Sequence, residues 1–375
     1  MIKRTGYTIF LYFIFLLGCN ENEVVTPDLK DYSSDFNLVW ATFDLNYPLF
    51  KYKNIDWDNS RSQFDDQFIS ITVTQRNNRL KDMLSVFKDY HVLLIKPSGD
   101  IIPTFVNQNV EANFKEEQIE EFTNSLNWHE ENETWGWGVN DSVGYLRIAS
   151  FNPSDIDTIA FASIMENLKP KKGIIIDLRK NSGGNLPVTR NIVAHFANEE
   201  MLVGYVLYRN GAERDDYAPE IPVVIAPLGD EPYENTIAVL IGRFCGSAGE
   251  IFAEALSQFG NVALIGDTTL GAVEAPSSFS LPDGTEYSVP IAAYLDVEHK
   301  PLEWKGVEPD IYIGPCDVQN SHGKDIVIKK ALELINSKKK NRRKPEKLHI
   351  ENAPFYPSVP DSLLDLDFQL RLPRN

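Results

Sequence analysis

The chain has 375 residues, with 36 Lys and Arg against 54 Asp and Glu, for a formal net charge of −18. An acidic surface repels phosphate backbones, so nucleic acid is not an expected partner. No Cys/His spacing indicates zinc and no glycine-rich loop indicates a nucleotide, so we expect neither a metal nor a cofactor. The length is enough for one large domain or two small ones.

Residues 1–18 have the pattern of a bacterial lipoprotein signal peptide. Residues 1–4 form a short basic region with Lys3 and Arg4, residues 8–17 are apolar but too short to span a bilayer comfortably, and residues 16–19 (Leu-Leu-Gly-Cys) form a lipobox. We expect cleavage before Cys19 and acylation of its thiol, which gives an extracytoplasmic, lipid-anchored protein. The expected location is the bacterial outer membrane. The alternatives are an ordinary secretory signal and an N-terminal anchor helix.

Three segments with different patterns follow the signal. Residues 19–34 are polar and predict a flexible tether. Residues 35–96 carry apolar side chains at helical spacing, Phe36 and Phe43 among them, which predicts a small helical N-terminal subdomain. Residues 97–140 are polar and acidic, and we interpret them as a connecting segment.

Residues 141–336 alternate between strand and helix patterns, which predicts an α/β (α+β) fold with a mixed sheet and crossover helices. Strands are predicted at 143–148, 173–178, 236–241, 262–265 and 287–295, and helices at 156–167, 186–197, 249–259 and 325–336. Residues 337–375 form a tail with a basic run and spaced prolines. We interpret that run as a solvated helix end in preference to a contact with lipid headgroups.

Ser247 lies at the turn between the strand at 236–241 and the following helix. A serine there can project its hydroxyl into a cleft, while the Ala248 amide at the start of the helix favours negative charge in the same space. Gly183 and Gly184, after another strand, could bring backbone amides against a substrate carbonyl. The simpler interpretation of Ser247 is a helix N-cap.

Four motifs occur in order along the chain: Asp-Tyr-His-Val at 89–92, Asp-Leu-Arg-Lys-Asn-Ser-Gly-Gly at 177–184, Ser-Ala-Gly-Glu at 247–250 followed by Gly-Asp-Thr-Thr-Leu-Gly at 266–271, and Gly-Val-Glu-Pro-Asp at 306–310. Together they resemble the tail-specific, or C-terminal processing, serine peptidases in their tricorn-core-like branch. The resemblance implies a crotonase-like or ClpP-like core and a peptide or protein substrate. The PDZ domain of many such proteins does not fit the connecting segment.

The resemblance also implies how Ser247 is activated. Relatives of the Ser/Lys type carry a lysine about 25 residues after the serine, where this chain has Ala272. The tricorn-like branch implies His91 as the base and Glu303 as the carboxylate that orients it. Tyr90 stands where a glycine is usual before that histidine, so the local backbone is expected to differ.

The sequence therefore predicts a lipid-anchored serine endopeptidase that forms an acyl-enzyme on Ser247. The amides of Ala248 and of Gly183 or Gly184 would stabilise the oxyanion. One alternative is a catalytically inactive peptide- or glycan-binding lipoprotein, which would follow if Tyr90 displaced the histidine. Another is an esterase that uses the same three residues.

Four further residues near the motifs have simpler interpretations. Asp89 is predicted to be a turn residue, with a minor prospect of orienting the histidine. Glu250 is predicted to be a helix first-turn carboxylate. Cys245 is predicted to be a small buried residue, although a disulfide to Cys316 would be allowed in an oxidising compartment.

Overall fold

The computed structural model describes residues 28–107, 110–228, 233–321 and 323–337. The predicted signal peptide with Cys19, most of the tether and the basic run of the tail lie outside these residues. Within them, no helix combines the length and the apolar character needed to cross a membrane.

The first part of the described chain is helical, and local capping explains where its helices begin. The Asp56 carboxylate accepts a hydrogen bond from the Asn59 amide at the start of α3, and Thr72 and Gln75 form a capping box at the start of α4. The α-helices before the first strand are α1 (Ser33–Asn46), α2 (Phe50–Lys53), α3 (Trp57–Phe64) and α4 (Val73–Leu84), with 3₁₀ turns at Asp65–Phe68 and Ser85–Phe87.

Seven strands of the described chain form one mixed sheet in the order β13-β10-β9-β6-β5-β4-β3. Its centre is parallel and buried on both faces, which is why these strands are nearly continuous apolar runs. The strands are β3 (Asn127–Glu130), β4 (Trp135–Val139), β5 (Val143–Ile148), β6 (Gly173–Asp177), β9 (Thr236–Ile241), β10 (Val262–Gly266) and β13 (Ile311–Tyr312).

Helices connect these parallel strands, and the predicted α/β fold with crossover connections is confirmed. The predicted strands at 143–148 and 236–241 have the expected bounds, and the others differ by one residue at an end. The remaining helices of the described chain are α5 (Glu116–Thr123), α6 (Thr158–Leu168), α7 (Leu186–Ala194), α8 (Ala248–Ser257), α9 (Pro315–Asn320) and α10 (Ile326–Asn336).

A second sheet, antiparallel throughout its described strands, packs against the N-terminal helices. Buried side chains of α1 and α4 share one core with Tyr287 and Val289 of its long strand β12. The strands run in the order β2-β1-β12-β7-β8, with β11 also paired to β12: β1 (Leu93–Ile95), β2 (Ile101–Pro103), β7 (Met201–Tyr208), β8 (Ile221–Ile225), β11 (Ala275–Ser280) and β12 (Glu286–Leu295).

Two features of this topology determine where the predicted site residues lie. The loops after β6, β9 and β10 leave the carboxyl ends of adjacent parallel strands, so they meet at one edge of the sheet. Strand β1 pairs with β12 two residues after His91, with Leu94 opposite Tyr287. The histidine is therefore tied to the second sheet, whereas Ser247 belongs to the first.

Candidate active site

The turn that carries Ser247 is held in an unusual backbone conformation. Its φ of 52° and ψ of −125° lie outside the ordinary regions for a residue with a side chain. The Ser247 amide donates to the Ala272 carbonyl at 2.7 Å and to Glu250 Oε2 at 3.1 Å. Ser247 is the N-cap residue of α8, and the Glu250 side chain bonds back to its amide as in a capping box, so the N-cap interpretation also describes its place in the chain.

Gly183 packs directly against Ser247. A β-carbon on Gly183, whose φ is 109°, would lie 2.5 Å from the serine Cβ and 3.1 Å from its Oγ. The loop is fixed by Asn181, whose carbonyl accepts from the Gly246 amide at 2.9 Å and whose Oδ1 accepts from the Gly183 amide at 2.9 Å. The structure thus brings these two predicted loops together, and only glycine fits at their contact.

The predicted oxyanion donors differ in their availability. The Gly183 amide is already bonded to the Asn181 side chain. Within the described residues, the amides of Ala248 and Gly184 donate no hydrogen bond. Gly184 also forms a short bridge with Phe151, which fixes its backbone beside the Ser247 loop. Ala248 and Gly184 are therefore the better candidates for binding a developing negative charge.

His91 follows the last 3₁₀ turn, and Asp89 shapes the backbone around it. The His91 amide donates to Asp89 Oδ1 at 2.8 Å. Its ring is largely buried, with 18% of the side chain exposed, and Nδ1 lies 3.9 Å from Asp89 Oδ1 without a hydrogen bond in the described chain. Burial lowers the pKa of His91, the Asp89 charge opposes that shift and Lys53 adds to it. The ring is therefore neutral at neutral pH.

A buried ion cluster lies beside the histidine. The Lys53 Nζ is 3.1 Å from Asp89 Oδ2, 3.2 Å from Glu303 Oε1 and 3.7 Å from Glu274 Oε1, and at most 2% of any of these side chains is exposed. The Tyr47 hydroxyl donates to Asp89 at 3.1 Å and to Glu274 at 3.3 Å. One ammonium thus faces three carboxyl groups, and they cannot all be ionised at low cost.

The three carboxyl groups therefore differ in pKa and in their charge near neutral pH. For Asp89, burial is outweighed by the Glu274 hydrogen bond and the Lys53 charge, which lower its pKa to about 2. Burial and the Asp89 charge raise the pKa of Glu274 well above its usual range. The same two causes raise the pKa of Glu303 to about 8. Near neutral pH the charged pair is therefore Lys53 with Asp89.

Glu303 belongs to this cluster, but its hydrogen-bond partners are groups other than the His91 ring. Its Oε1 accepts from Lys53, and its Oε2 accepts from the Val273 amide at 3.0 Å. The described residues include no hydrogen bond between Glu303 and the His91 ring. The role assigned to Glu303 from the sequence stays a prediction.

Glu250 does more than favour the helix dipole. Its buried carboxylate accepts from Thr269 Oγ1 at 2.6 Å and from the amides of Gly271 and Ala272 at 2.7 and 2.8 Å, besides the bond from the Ser247 amide. Burial raises its pKa to about 7, against these hydrogen bonds. Glu250 thereby ties the loop after β10 to the Ser247 turn.

The sequence also raised expectations about Cys245, Cys316 and Tyr90. Cys245 is buried as expected, and both Cys245 and Cys316 are free, so they form no disulfide. The Tyr90 ring packs edge-on against Phe105, with centroids 5.1 Å apart.

Lys53, Glu274 and Tyr47 were not predicted as site residues from the sequence. Lys53 ends a four-residue helix whose pattern is unremarkable. Of these three residues, Glu274 could have been found from the sequence, because it lies two residues after Ala272 in a motif loop.

Within the described chain, one group of side chains has the geometry to hold a metal ion. Asp89, His91 and Glu274 each offer an atom within 4.8 Å of the others. The Lys53 ammonium lies against both carboxyl groups of this set and already supplies the positive charge that a metal would bring.

Residues 142–313, which contain Ser247, the glycine loop and Glu303, match the family described as peptidase family S41. The chain carries a peptidase family S41 domain. Among curated proteins, the carboxyl-terminal-processing protease of Synechocystis sp. is 28% identical over 197 residues, which cover 50% of this chain and 44% of that protein. The chain thus spans less than half the length of the curated relatives it matches.

Solved structures extend the similarity beyond the S41 domain. A Parabacteroides merdae protein assigned as a peptidase is 26% identical, with a TM-score of 0.73, and the match covers 83% of this chain and 98% of that one. Mature CPAF is 12% identical, with a TM-score of 0.61, covering 82% and 98%, and this likeness concerns the fold alone.

Proposed function

We propose that this protein is a serine endopeptidase that cleaves peptide bonds through an acyl-enzyme on Ser247. The observation that carries the proposal is the strained Ser247 turn in the S41 domain, which is packed directly against Gly183. A strained strand-to-helix turn of this kind exposes a serine hydroxyl at the edge of a sheet. Relatives named as carboxyl-terminal-processing proteases support a peptide or protein substrate.

His91 is the proposed base. A serine hydroxyl is a weak nucleophile unless a neighbouring group takes its proton. His91 is neutral near pH 7, and the position of the Ser/Lys lysine is occupied by buried Ala272. In the proposed step, Ser247 Oγ bonds to the carbonyl carbon while its proton passes to His91. The amides of Ala248 and Gly184 receive the oxyanion, and the proton then goes to the leaving amine as the C–N bond breaks.

A fluorophosphonate probe tests this function without knowledge of the substrate. We expect purified protein to be labelled, with the adduct mapped to Ser247 by mass spectrometry. Ser247→Ala should abolish the label. Ser257→Ala, at the other end of α8 where the hydroxyl bonds the Glu254 carbonyl, should keep it. Labelling that persists in Ser247→Ala, or its absence from the native protein, would contradict the proposal.

The labelled centre can then be assayed for its reaction. Parallel hydrolysis of a peptide library and of simple acyl esters distinguishes a peptidase from an esterase. Ester hydrolysis without peptide cleavage would support the esterase alternative. A protein that binds peptides but takes no label would support the inactive binding protein.

We also propose that acylated Cys19 attaches the protein to the membrane on the extracytoplasmic side. The outer membrane is the location that we favour. The lipobox at residues 16–19 supports this proposal. Two residues after the thiol the chain becomes acidic, with Glu21 and Glu23. Substrates would then be proteins or peptides outside the cytoplasm.

A further inference from the structure

The position of the carboxyl groups around His91 raises the question of which one orients it. Two titratable groups act directly on its ring charge, Asp89 and Lys53. Glu274, Glu303 and Tyr47 belong to the same buried cluster. A histidine that accepts a proton in a buried site needs a negative charge nearby, since burial disfavours the imidazolium.

Asp89 meets that requirement by position. Its Oδ1 holds the His91 amide at 2.8 Å and lies 3.9 Å from Nδ1 of the ring. The latter distance is just within the roughly 4 Å of an ion pair and is too long for a hydrogen bond, and contacts between catalytic groups often shorten once substrate is bound. Asp89 also carries the negative charge of the cluster, because its pKa is lowered to about 2.

Glu303 differs from Asp89 in its hydrogen-bond partners and in its charge. One oxygen is bonded to Lys53 and the other to the Val273 amide, so both oxygens already have partners. Its raised pKa of about 8 leaves it largely uncharged near neutral pH.

Lys53 connects these two carboxyl groups. It ends α2 in the helical part, Asp89 lies in the turn before β1, and Glu303 lies in a loop of the S41 domain. The ammonium is buried with its partners and also lies 4.5 Å from the Trp304 ring centroid. It therefore joins three segments that are far apart in the chain around the loop that bears His91.

We propose that Asp89 is the carboxylate that orients His91 and stabilises its protonated form, and that Lys53 is a positioning residue that holds Asp89 through an anchor on Glu303. This inference rests on the proposed role of His91 as the base. When the Ser247 proton reaches the ring, the imidazolium charge lies beside the Asp89 anion. Glu303 acts through Lys53 and not on the ring.

The first test measures the pKa of His91 and does not require activity. In full-length Ser247→Ala protein, the ring signals are titrated by NMR and assigned with His91→Gln. Asp89→Asn removes a nearby opposite charge, so we expect the His91 pKa to fall by about one unit or more. Glu303→Gln should move it by less than half as much. The reverse order would overturn the proposal.

The second test separates positioning from mere stability. Lys53→Met removes the ammonium at similar length, and Lys53→Arg retains the charge. We expect Lys53→Met to lower kcat about 10²-fold with KM little changed, since small misplacements of a catalytic group cost this much. Lys53→Arg should recover part of the loss. Native kcat in folded Lys53→Met, or an equal loss in both variants, would overturn the role of Lys53.

A failure of this proposal can be distinguished from a failure of the proposed peptidase function. If Ser247 takes no fluorophosphonate label, the peptidase proposal fails, while the NMR titration still reports which carboxylate faces His91. If Asp89→Asn does not fold, Glu303→Gln alone decides: a fall of a full unit in the His91 pKa would show that Glu303 is the partner, and a smaller change supports Asp89.

Discussion

Gly183 lies so close to Ser247 that a β-carbon on it would come within 2.5 Å of the serine Cβ. The contact joins the loop after β6 to the loop after β9. It leaves no room for a side chain, and at φ 109° the backbone itself favours glycine.

We therefore expect Gly183→Ala to lower kcat/KM by about 10²-fold or more, because the Ser247 turn must shift to admit the methyl group. Gly99→Ala is the matched control. Gly99 has a similar φ of 88° but open space around its would-be β-carbon, so it carries the backbone cost without the clash. Equal peptidase activity in both variants would contradict the importance of the contact.

Ser247→Ala and His91→Ala should each lower turnover by roughly 10⁴ to 10⁶, and the double variant should lose little more, because members of a catalytic group act as a unit. Turnover of the three proteins is measured against one peptide substrate, and circular dichroism verifies the fold. Losses that multiply in the double variant would mean that the two residues act independently.

The pH profile of kcat/KM should rise with pH at a midpoint below 6.5. The reason is that the base must be neutral, and burial lowers the pKa of His91 below that ordinary value. Stopped assays in constant-ionic-strength buffers measure the profile. A profile that is flat from acid to neutral pH, or a midpoint in the alkaline range of a lysine, would argue against His91.

Stability should fall as the pH rises through the range of the buried glutamates. The pKa of Glu250 is raised to about 7 and that of Glu303 to about 8, so the folded state holds their protons more tightly than the unfolded chain. Their stabilising contribution is complete below the usual carboxyl pKa of 4.5 and is lost as pH passes through 7 to 8. Thermal melts from about pH 5 to 9 should show a declining Tm, and Glu303→Gln should flatten the decline. An unchanged slope in that variant would contradict the raised pKa.

Cys19→Ser should convert a membrane-bound protein into a soluble protein or an uncleaved precursor, because the thiol is the acyl acceptor of the lipobox. Fractionation of cells and mass spectrometry of the mature N-terminus check this. Cys316→Ser, which changes an exposed free cysteine, is the control and should stay in the membrane fraction. A native N-terminus without lipid would contradict the anchor and leave the catalytic proposal intact.

Much of the S41 domain could be predicted because its signals are local. The strands at 143–148 and 236–241 are apolar runs bounded by turn residues, and burial on both faces of a parallel sheet demands such runs. Asp56 likewise marks the start of α3 through a hydrogen bond three residues away. The placement of Ser247 between a strand and a helix follows from the same short-range pattern.

Only the tertiary structure decided which charges meet beside His91. Lys53 is 36 residues from Asp89 and 250 residues from Glu303, and it reaches both because the fold brings the end of α2 to the turn before β1 and to the loop that carries Glu303. A buried carboxylate takes its charge state from the cation and the hydrogen bonds that surround it. Those neighbours come from distant segments, and no local pattern in the sequence specifies them.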